Sequence, residues 1–573
     1  MKFFHVYNEK YFEGLVKNGL INKDTGFKIQ HIFAMPEELK FNVLAAKGGK
    51  LHQLIRENQY PFYVDRIAGG CTYHWYDFDR ELIREYEALL GKWFLGFQLH
   101  ESASNRRQNW ETLRKTMGSD GPYDLEELKA KMVSEYAVTP AGEYLPNLSH
   151  GKPEEYAPLR YANTPEEFIQ EIRDMFALRQ QETEGFILPC DSYYLFTHMQ
   201  DQLGMRTFMP EVGWQIPQMR IAVALARGMA LARGKLWGTY YETWIGTVEE
   251  GYSMPCYNTE PGNEWYLTQQ THPDDFTGCG ANGGSSRHLQ RRIYYYSFMS
   301  GADYLAEEWG LNCSYDDMKT FTLSEYGLAK KEFIDFTQQM PQMKAKIPFA
   351  IVLPREYACV EIVEPHRQDL YDVYRDDYML CPLNDKQKAY YGHIEAVLKR
   401  IYYRFGKILG NEGHTLTNSR FGDLFDIIYE DLPEAAYEKY DYLVDATEEG
   451  TFAAKLGNCF SVLESRDLDG LEKKLHDLEE ELSCRVDKLH WLLSEDENGR
   501  QYVSVFNNEG NTRSVKWGDQ LDAAADATAR ITLRQPGQLQ LVKGSSENVT
   551  LRQISETVWE ADIPAAGFGI FVY

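Results

Sequence analysis

Between about residue 27 and residue 340, short apolar runs of strand length alternate with longer stretches of helical period. The strand-like runs fall at 27–35, 61–66, 93–100, 185–191, 206–211, 235–242 and 302–308, with a weaker eighth at 319–323. The stretches between them carry helix punctuation. Residues 216–235 have Pro217 near the first turn and Gly234 after the last. Residues 284–301 open on Ser285 or Ser286 as N-cap and close at Gly301. Eight strand–helix alternations over roughly 320 residues predict a (β/α)8 TIM barrel with loop insertions. A doubly wound open sheet is the competing arrangement, but no Gly-rich phosphate loop follows the first strand-like run.

Two connections are too long to be plain turns, 102–164 and 246–284. In a barrel both lie on the C-terminal face, where they could cover a pocket. Near residue 346 the rhythm restarts with the apolar run IPFAIVLP, followed by FDIIYE, YDYLVDA and CFSVLES. These read as buried parallel strands of a second, smaller α/β domain. From about 486 the alternating segments QYVSVFNN, RITLRQ, QLQLVKG and FGIFVY read as a small β-sandwich. The expected division is 1–345 for the barrel, 346–484 for the α/β domain and 485–573 for the sandwich.

Charge narrows the range of partners. Lys and Arg number 60 against 86 Asp and Glu, a formal net charge of −26. A field of that sign repels phosphate backbones and anionic lipid, so neither nucleic acid nor a membrane surface is expected as partner. No run of about 18 uncharged apolar residues occurs, and the first residues lack the continuous apolar stretch of a secretion signal. The 9 cysteines are scattered, without a CxxC pair, which argues against a disulfide framework or thiolate zinc site and for a reducing, cytoplasmic setting. Aromatics make up 14% of the chain, with 39 Tyr and 11 Trp, enough for a large core or for surfaces that stack flat ligands such as sugars.

The carboxylates fall at the ends of the predicted strands. FQLHES ends with Glu101, ILPCDS with Asp191, FMPEVGW with Glu211, GTYYETW with Glu242 and YLAEEWG with Glu307 and Glu308. Trp214, Trp244 and Trp309 stand beside three of them. A barrel gathers strand ends into one rim, so these acids are expected to converge on one pocket. Acids also collect at strand ends because the chain surfaces there, and any single one can be a cap or an ion-pair partner. Two carboxylates flanked by aromatic platforms are what glycoside hydrolysis uses: one protonates the leaving oxygen, the other attacks the anomeric carbon or activates water. Neighbouring strand residues point to opposite faces, so only one of Glu307 and Glu308 should enter the pocket. Asp65, His100 and Tyr241 are further substrate-binding candidates, Asp65 being equally suited to an ion pair with Arg66 or another cation. Arg287, Arg291 and Arg292 read as a solvated helix face or a clamp for an acidic substrate. Cys190 reads as a buried small residue. No histidine pair has metal-ligand spacing, so no catalytic metal and no cofactor is expected.

With these residues in view, the chain resembles the retaining glycosidases built on a (β/α)8 barrel. In domain order it is similar to the family 42 type β-galactosidases: barrel, flavodoxin- or amidotransferase-like domain, small β-sandwich. The segments LSEYGLAKKEFIDFTQQMP and IPFAIVLPREY resemble the barrel exit and second-domain start of those enzymes. The resemblance implies a nucleophile on a Glu ending strand seven, which in the predicted count is Glu308 or Glu307. It also implies an acid in an Asn-Glu pair ending strand four. That pair is missing, and Glu211, then Asp191, are the available acids. The expectation is a retaining, exo-acting hydrolase of β-linked glycosides, with Glu101 and Glu242 contacting hydroxyls or tuning the acid and the three Trp stacking the sugar. A homo-oligomer is implied by the resemblance alone. A carbohydrate-binding protein without catalysis, or a transglycosidase or phosphorylase on the same barrel, are the alternatives.

Overall fold

The computed structural model describes the chain apart from residues 10, 32–36, 70–71, 74–75, 101–112, 115, 136–152, 163, 191–196, 214–218, 244, 248–250, 253–284, 309–313, 318, 356–384, 403–420, 448–449 and 515–517. Eight parallel strands form a nearly closed barrel: β1 (Lys2–Val6), β2 (Thr25–Gln30), β3 (Phe62–Gly69), β4 (Phe94–His100), β5 (Ile187–Cys190), β6 in two pieces (Thr207–Phe208 and Glu211–Gly213), β7 (Leu236–Glu242) and β8 (Tyr304–Glu307). They are ordered β5-β4-β3-β2-β1-β8-β7-β6 by ladder hydrogen bonds. The outer strands β5 and β6 lie side by side without a ladder between their described residues, which is where closure is incomplete. A helix follows each strand: α1 (Phe12–Lys17), α2 (Lys50–Asn58), α3 (Arg80–Leu90), α4 (Pro165–Glu182), α5 (Thr197–Gln202), α6 (Met219–Arg233), α7 (Arg287–Met299) and α8 (Glu325–Gln339).

This count corrects the expected one. The barrel begins at Lys2, not near residue 27, because β1 pairs with both β2 and β8. Residues 319–323 are not its eighth strand; Thr322–Leu323 belongs to a small antiparallel hairpin with Tyr315–Asp317. Every expected strand number therefore rises by one. Five residues, KFFHV, with Lys2 and His5 in them, are too short and too polar to stand out as a buried strand when read alone.

Alternation sorts each strand into two faces. Phe27 and Ile29 turn outward into the shell between sheet and helices, while Phe4, Tyr63, Leu95, Leu188, Tyr240 and Tyr304 pack together inside the barrel. In β4 that alternation is reset. The ladder passes from Phe62↔Phe94 to Tyr63↔Gly96, so Leu95 is an extra residue. Leu95 points in, Phe97 points out among Phe41, Phe78 and Phe94, and Gln98 and His100 face the interior. Gly96 makes the bulge with φ +104, and a Cβ there would lie 2.0 Å from the Phe186 carbonyl oxygen. Gly96→Ala is accordingly expected to destabilise the protein by about 3 kcal/mol or more, read as a lower midpoint in urea unfolding. An unchanged midpoint would mean that the bulge is not needed.

Beyond the barrel, a four-stranded parallel sheet holds Phe425–Tyr429, Phe349–Leu353, Tyr442–Asp445 and Val462–Glu464 in that spatial order. Two antiparallel sheets of five and four strands follow, and their inner faces share one core. The strand Met343–Ala345, just after α8, pairs with His490–Asp496 of the five-stranded sheet, tying the barrel exit to the C-terminal part. Helix α6 docks on the parallel sheet at Gly228, where a Cβ would meet the Ile427 carbonyl oxygen at 2.6 Å. Around that contact Arg227 bonds Asp426 at 2.6 Å, Arg220 stands 3.5 Å from Asp423, and Tyr296 donates to Asp423 at 2.7 Å. Burial alone would push the Asp423 carboxyl up, but Arg227 and Arg220 hold it below the usual carboxylate range.

Candidate active site

The site is built at the C-terminal ends of the barrel strands, starting from a second irregularity. Between Val64 and Ala68 of β3 the ladder to β4 advances from Phe97 only to Leu99, so residues 65–67 bulge. Arg66 sits in that bulge with φ +58, a left-handed conformation that costs a long side chain about 1 kcal/mol or more. Its N–H donates to Gln98 Oε1 at 3.2 Å, which fixes the turn. The bulge re-aims the side chain. Arg66 Nη2 donates to His100 Nε2 at 2.8 Å and forms an ion pair with Glu308 Oε1.

A guanidinium only donates, so His100 Nε2 is the acceptor and the ring is neutral with its proton on Nδ1. His100 Nε2 then stands 3.7 Å from Glu211 Oε1 and 3.6 Å from Glu308 Oε1, ring contacts rather than hydrogen bonds. One ligand-type atom from each of His100, Glu211 and Glu308 lies within 4.8 Å of the others. Both carboxylates are 1% exposed. Glu242, at the end of β7, is buried between them in the strand order; Gly213 of β6 pairs with it, and a Cβ on Gly213 would strike the Glu242 side chain. Three buried carboxyls thus share this rim with the Arg66 cation. The Arg66 guanidinium, paired with Glu308, sets a positive charge directly against that carboxylate. Burial opposes the charge on Arg66 itself, yet Tyr240, Asp65 and Glu211 raise its pKa.

One layer deeper, Lys28 forms an ion pair with Asp65, and the Tyr240 hydroxyl donates to Asp65 at 3.4 Å. Lys28 also donates to the Glu307 carbonyl at 2.6 Å. Burial, reinforced by the Asp65 charge, keeps the Tyr240 hydroxyl protonated well beyond its usual range. This polar layer underlies the acids, and the apolar interior lies below it.

Of the residues singled out from sequence, Glu211, Glu308 and His100 meet at this rim, Glu242 ends the strand between the two glutamates, and Asp65 is paired with Lys28. Glu307 turns to the outer face, where Lys330 reaches it at 2.5 Å and Tyr294 donates to it, as alternation requires. Tyr241 also turns outward, bonding Ser285 and packing edge-on against Tyr294. Glu101, Asp191, Trp214, Trp244 and Trp309 lie outside the described residues. Arg287 and Arg292 are not a solvated face: Arg287 stacks on Tyr326 and Arg292 bonds Asn508 at 3.0 Å, both buried. Cys190 is buried in the barrel interior. Sequence reasoning missed Lys28, Gln98 and the role of Arg66. The signal for Lys28 was present in FKIQ, where every second residue of an otherwise apolar strand is polar.

His100, Glu211 and Glu308 have the donor types of a divalent-cation site, but Arg66 already occupies the cation position against Glu308 and His100. The new strand count also moves Glu308 to the end of strand eight and leaves Glu242 on strand seven, so strand number no longer singles out Glu308.

No protein-family pattern and no curated protein matches the chain. Among solved structures it is similar to α-L-fucosidase isoenzyme 2 from Paenibacillus thiaminolyticus, at 9% identity over 99% of this chain and 96% of that one, with a TM-score of 0.42. It is similar also to a polyextremophilic β-galactosidase from the Antarctic haloarchaeon Halorubrum lacusprofundi, at 10% identity over 100% and 98% of the two chains and a TM-score of 0.33. An α-amylase from H. orenii matches at 8% identity over 100% and 99%, with a TM-score of 0.32. These three proteins are glycoside hydrolases by name. Among the described residues no helix is long and apolar enough to cross a membrane.

Proposed function

We propose that this protein is a retaining glycoside hydrolase in which Glu308 is the nucleophile and Glu211 the acid/base. The observation that carries the reading is the pair itself: an oxygen of Glu211 and one of Glu308 within 4.8 Å at the barrel mouth, with Arg66 on Glu308. Carboxyls about 5–5.5 Å apart leave no room for a water between acid and sugar, whereas inversion needs about 6.5–9.5 Å. In the first step a Glu308 oxygen bonds the anomeric carbon, the glycosidic C–O bond breaks, and Glu211 gives its proton to the departing oxygen. In the second, Glu211 takes a proton from water, the water oxygen replaces Glu308 on the anomeric carbon, and the sugar leaves with its configuration retained. Arg66 keeps Glu308 ionised and oriented; Glu242 and the layer below bind hydroxyls. Acids buried at the end of a closed interior suit the terminal sugar of a chain, so the reaction is exo-acting. The substrates are β-linked galactosides, glucosides or mannosides.

The test is a panel of p-nitrophenyl glycosides, with the first-formed anomer identified by proton NMR before mutarotation. Turnover of one β-glycoside with the β-anomer appearing first is expected. Inversion would remove Glu308 as nucleophile, and no turnover of any glycoside would remove the reading.

A further inference from the structure

The barrel mouth holds a second polar group that the two-carboxylate chemistry does not use. Gln30, the last residue of β2, is 3% exposed, and neither its Nε2 nor its Oε1 has a hydrogen-bond partner among the described residues. Its direction follows from the strand. Phe27 and Ile29 are in the outer shell, so Lys28 and Gln30 face inward; Lys28 does so visibly, through its ion pair with Asp65. Gln30 is also in register with Asp65 on β3, and laterally paired residues of a parallel sheet share a face. Gln30 therefore points into the interior from the same end as the acids, one step beyond Lys28 towards the mouth.

A buried amide with both ends unpaired is unfavourable in the free protein, since a lost hydrogen bond to water has not been replaced. Such a group persists where a ligand completes it. A primary amide offers one donor face and one acceptor face about 2 Å apart, which matches two neighbouring hydroxyls of a pyranose, one accepting from Nε2 and one donating to Oε1. We infer that Gln30 is a substrate-binding residue that grips a vicinal diol of the terminal sugar and so sets which sugars are accepted. This inference rests on the glycosidase reading and deepens it: it names the chemical feature, an adjacent pair of free hydroxyls, that the substrate must carry.

The test combines Gln30→Met, near in shape and without polar atoms, with the monodeoxy versions of whichever p-nitrophenyl glycoside the wild type turns over. Replacing an unpaired amide by an apolar chain should leave the melting temperature of the sugar-free protein unchanged or raise it by a few degrees, while kcat/KM falls roughly 10²-fold. Two adjacent deoxy positions should each cost the wild type tenfold or more and cost Gln30→Met little further, because the contact is already gone. Equal kcat/KM in both proteins would overturn the inference while leaving the two-carboxylate mechanism standing. So would a fall in melting temperature together with activity, which marks a structural role. If the variant does not fold, the deoxy series on the wild type decides alone: no adjacent pair of sensitive hydroxyls contradicts the assignment. Absence of glycoside turnover by the wild type itself is a different failure, that of the parent reading.

Discussion

Glu308→Gln is expected to lower kcat/KM by about 10⁴-fold or more on every glycoside the protein cleaves, equivalent to about 5 kcal/mol of transition-state stabilisation. The amide is neutral and cannot form the glycosyl ester, so no rearrangement of the remaining acids replaces it. The fold should survive, because Arg66 keeps Tyr240, Asp65 and Glu211 as favourable neighbours and its hydrogen bond to His100. The adjacent residue is the control. Glu307→Gln removes the charge that buried Lys330 meets at 2.5 Å on the outer face, so it should destabilise the protein by about 3 kcal/mol in urea unfolding while leaving most of kcat. Two neighbouring glutamates thus separate into one that acts on activity and one that acts on stability. Equal effects of both substitutions on kcat would contradict the assignment of inward and outward faces.

The second large effect is expected at Glu211, and it depends on the substrate. Glu211→Gln removes the proton donor, so kcat/KM should fall about 10³-fold for a sugar or alkyl aglycone, which must be protonated to leave. For a dinitrophenyl glycoside, whose phenolate departs unaided, the first step should change little. Breakdown of the glycosyl ester then becomes slow, since water has lost its base, and a burst of one equivalent of phenolate should precede slow turnover. Added azide, which attacks without a base, should restore turnover and give the glycosyl azide with retained configuration. The pH profile gives an independent reading: the limb that reports the acid should vanish in Glu211→Gln and persist in Glu242→Gln. A uniform loss across leaving groups, with no azide rescue, would show that Glu211 is not the acid/base.

How far these features could be read from residues alone varies with how local their causes are. The (β/α) alternation was legible because each strand and helix carries its own period, and the α7 cap was legible to within one residue, as Ser285 or Ser286, because capping needs only the next three residues: Ser286 accepts from the N–H groups of His288 and Leu289. β1 was not, because KFFHV becomes a strand through pairing on both sides with residues far along the chain. That single omission displaced every strand number and with it the family correspondence for the nucleophile. That Glu211 and Glu308 lie close together could be anticipated, since a barrel brings strand ends together whatever their number. The bulges could not. Gly96 resets which residues of β4 face inward, and Arg66 reaches His100 and Glu308 only because β3 carries extra residues before Ala68. Nothing in YVDRIAGG signals a left-handed arginine. Asp65 likewise found its partner in Lys28, on the neighbouring strand, where spatial adjacency outweighs adjacency in the chain.

In the proposed mechanism one bond is worked on by Glu211 and Glu308 together, with Glu308 making the covalent link. The most direct measurement is to trap that link. A 2-deoxy-2-fluoro-β-glycosyl fluoride of the preferred sugar loses fluoride to the attacking carboxylate, and the electron-poor ring then slows hydrolysis of the ester. Peptide mass spectrometry of the inactivated protein should find one fluoroglycosyl group per chain, on Glu308. A label on Glu242, Glu211 or any other residue, or full activity after exposure with no label at all, would contradict the account.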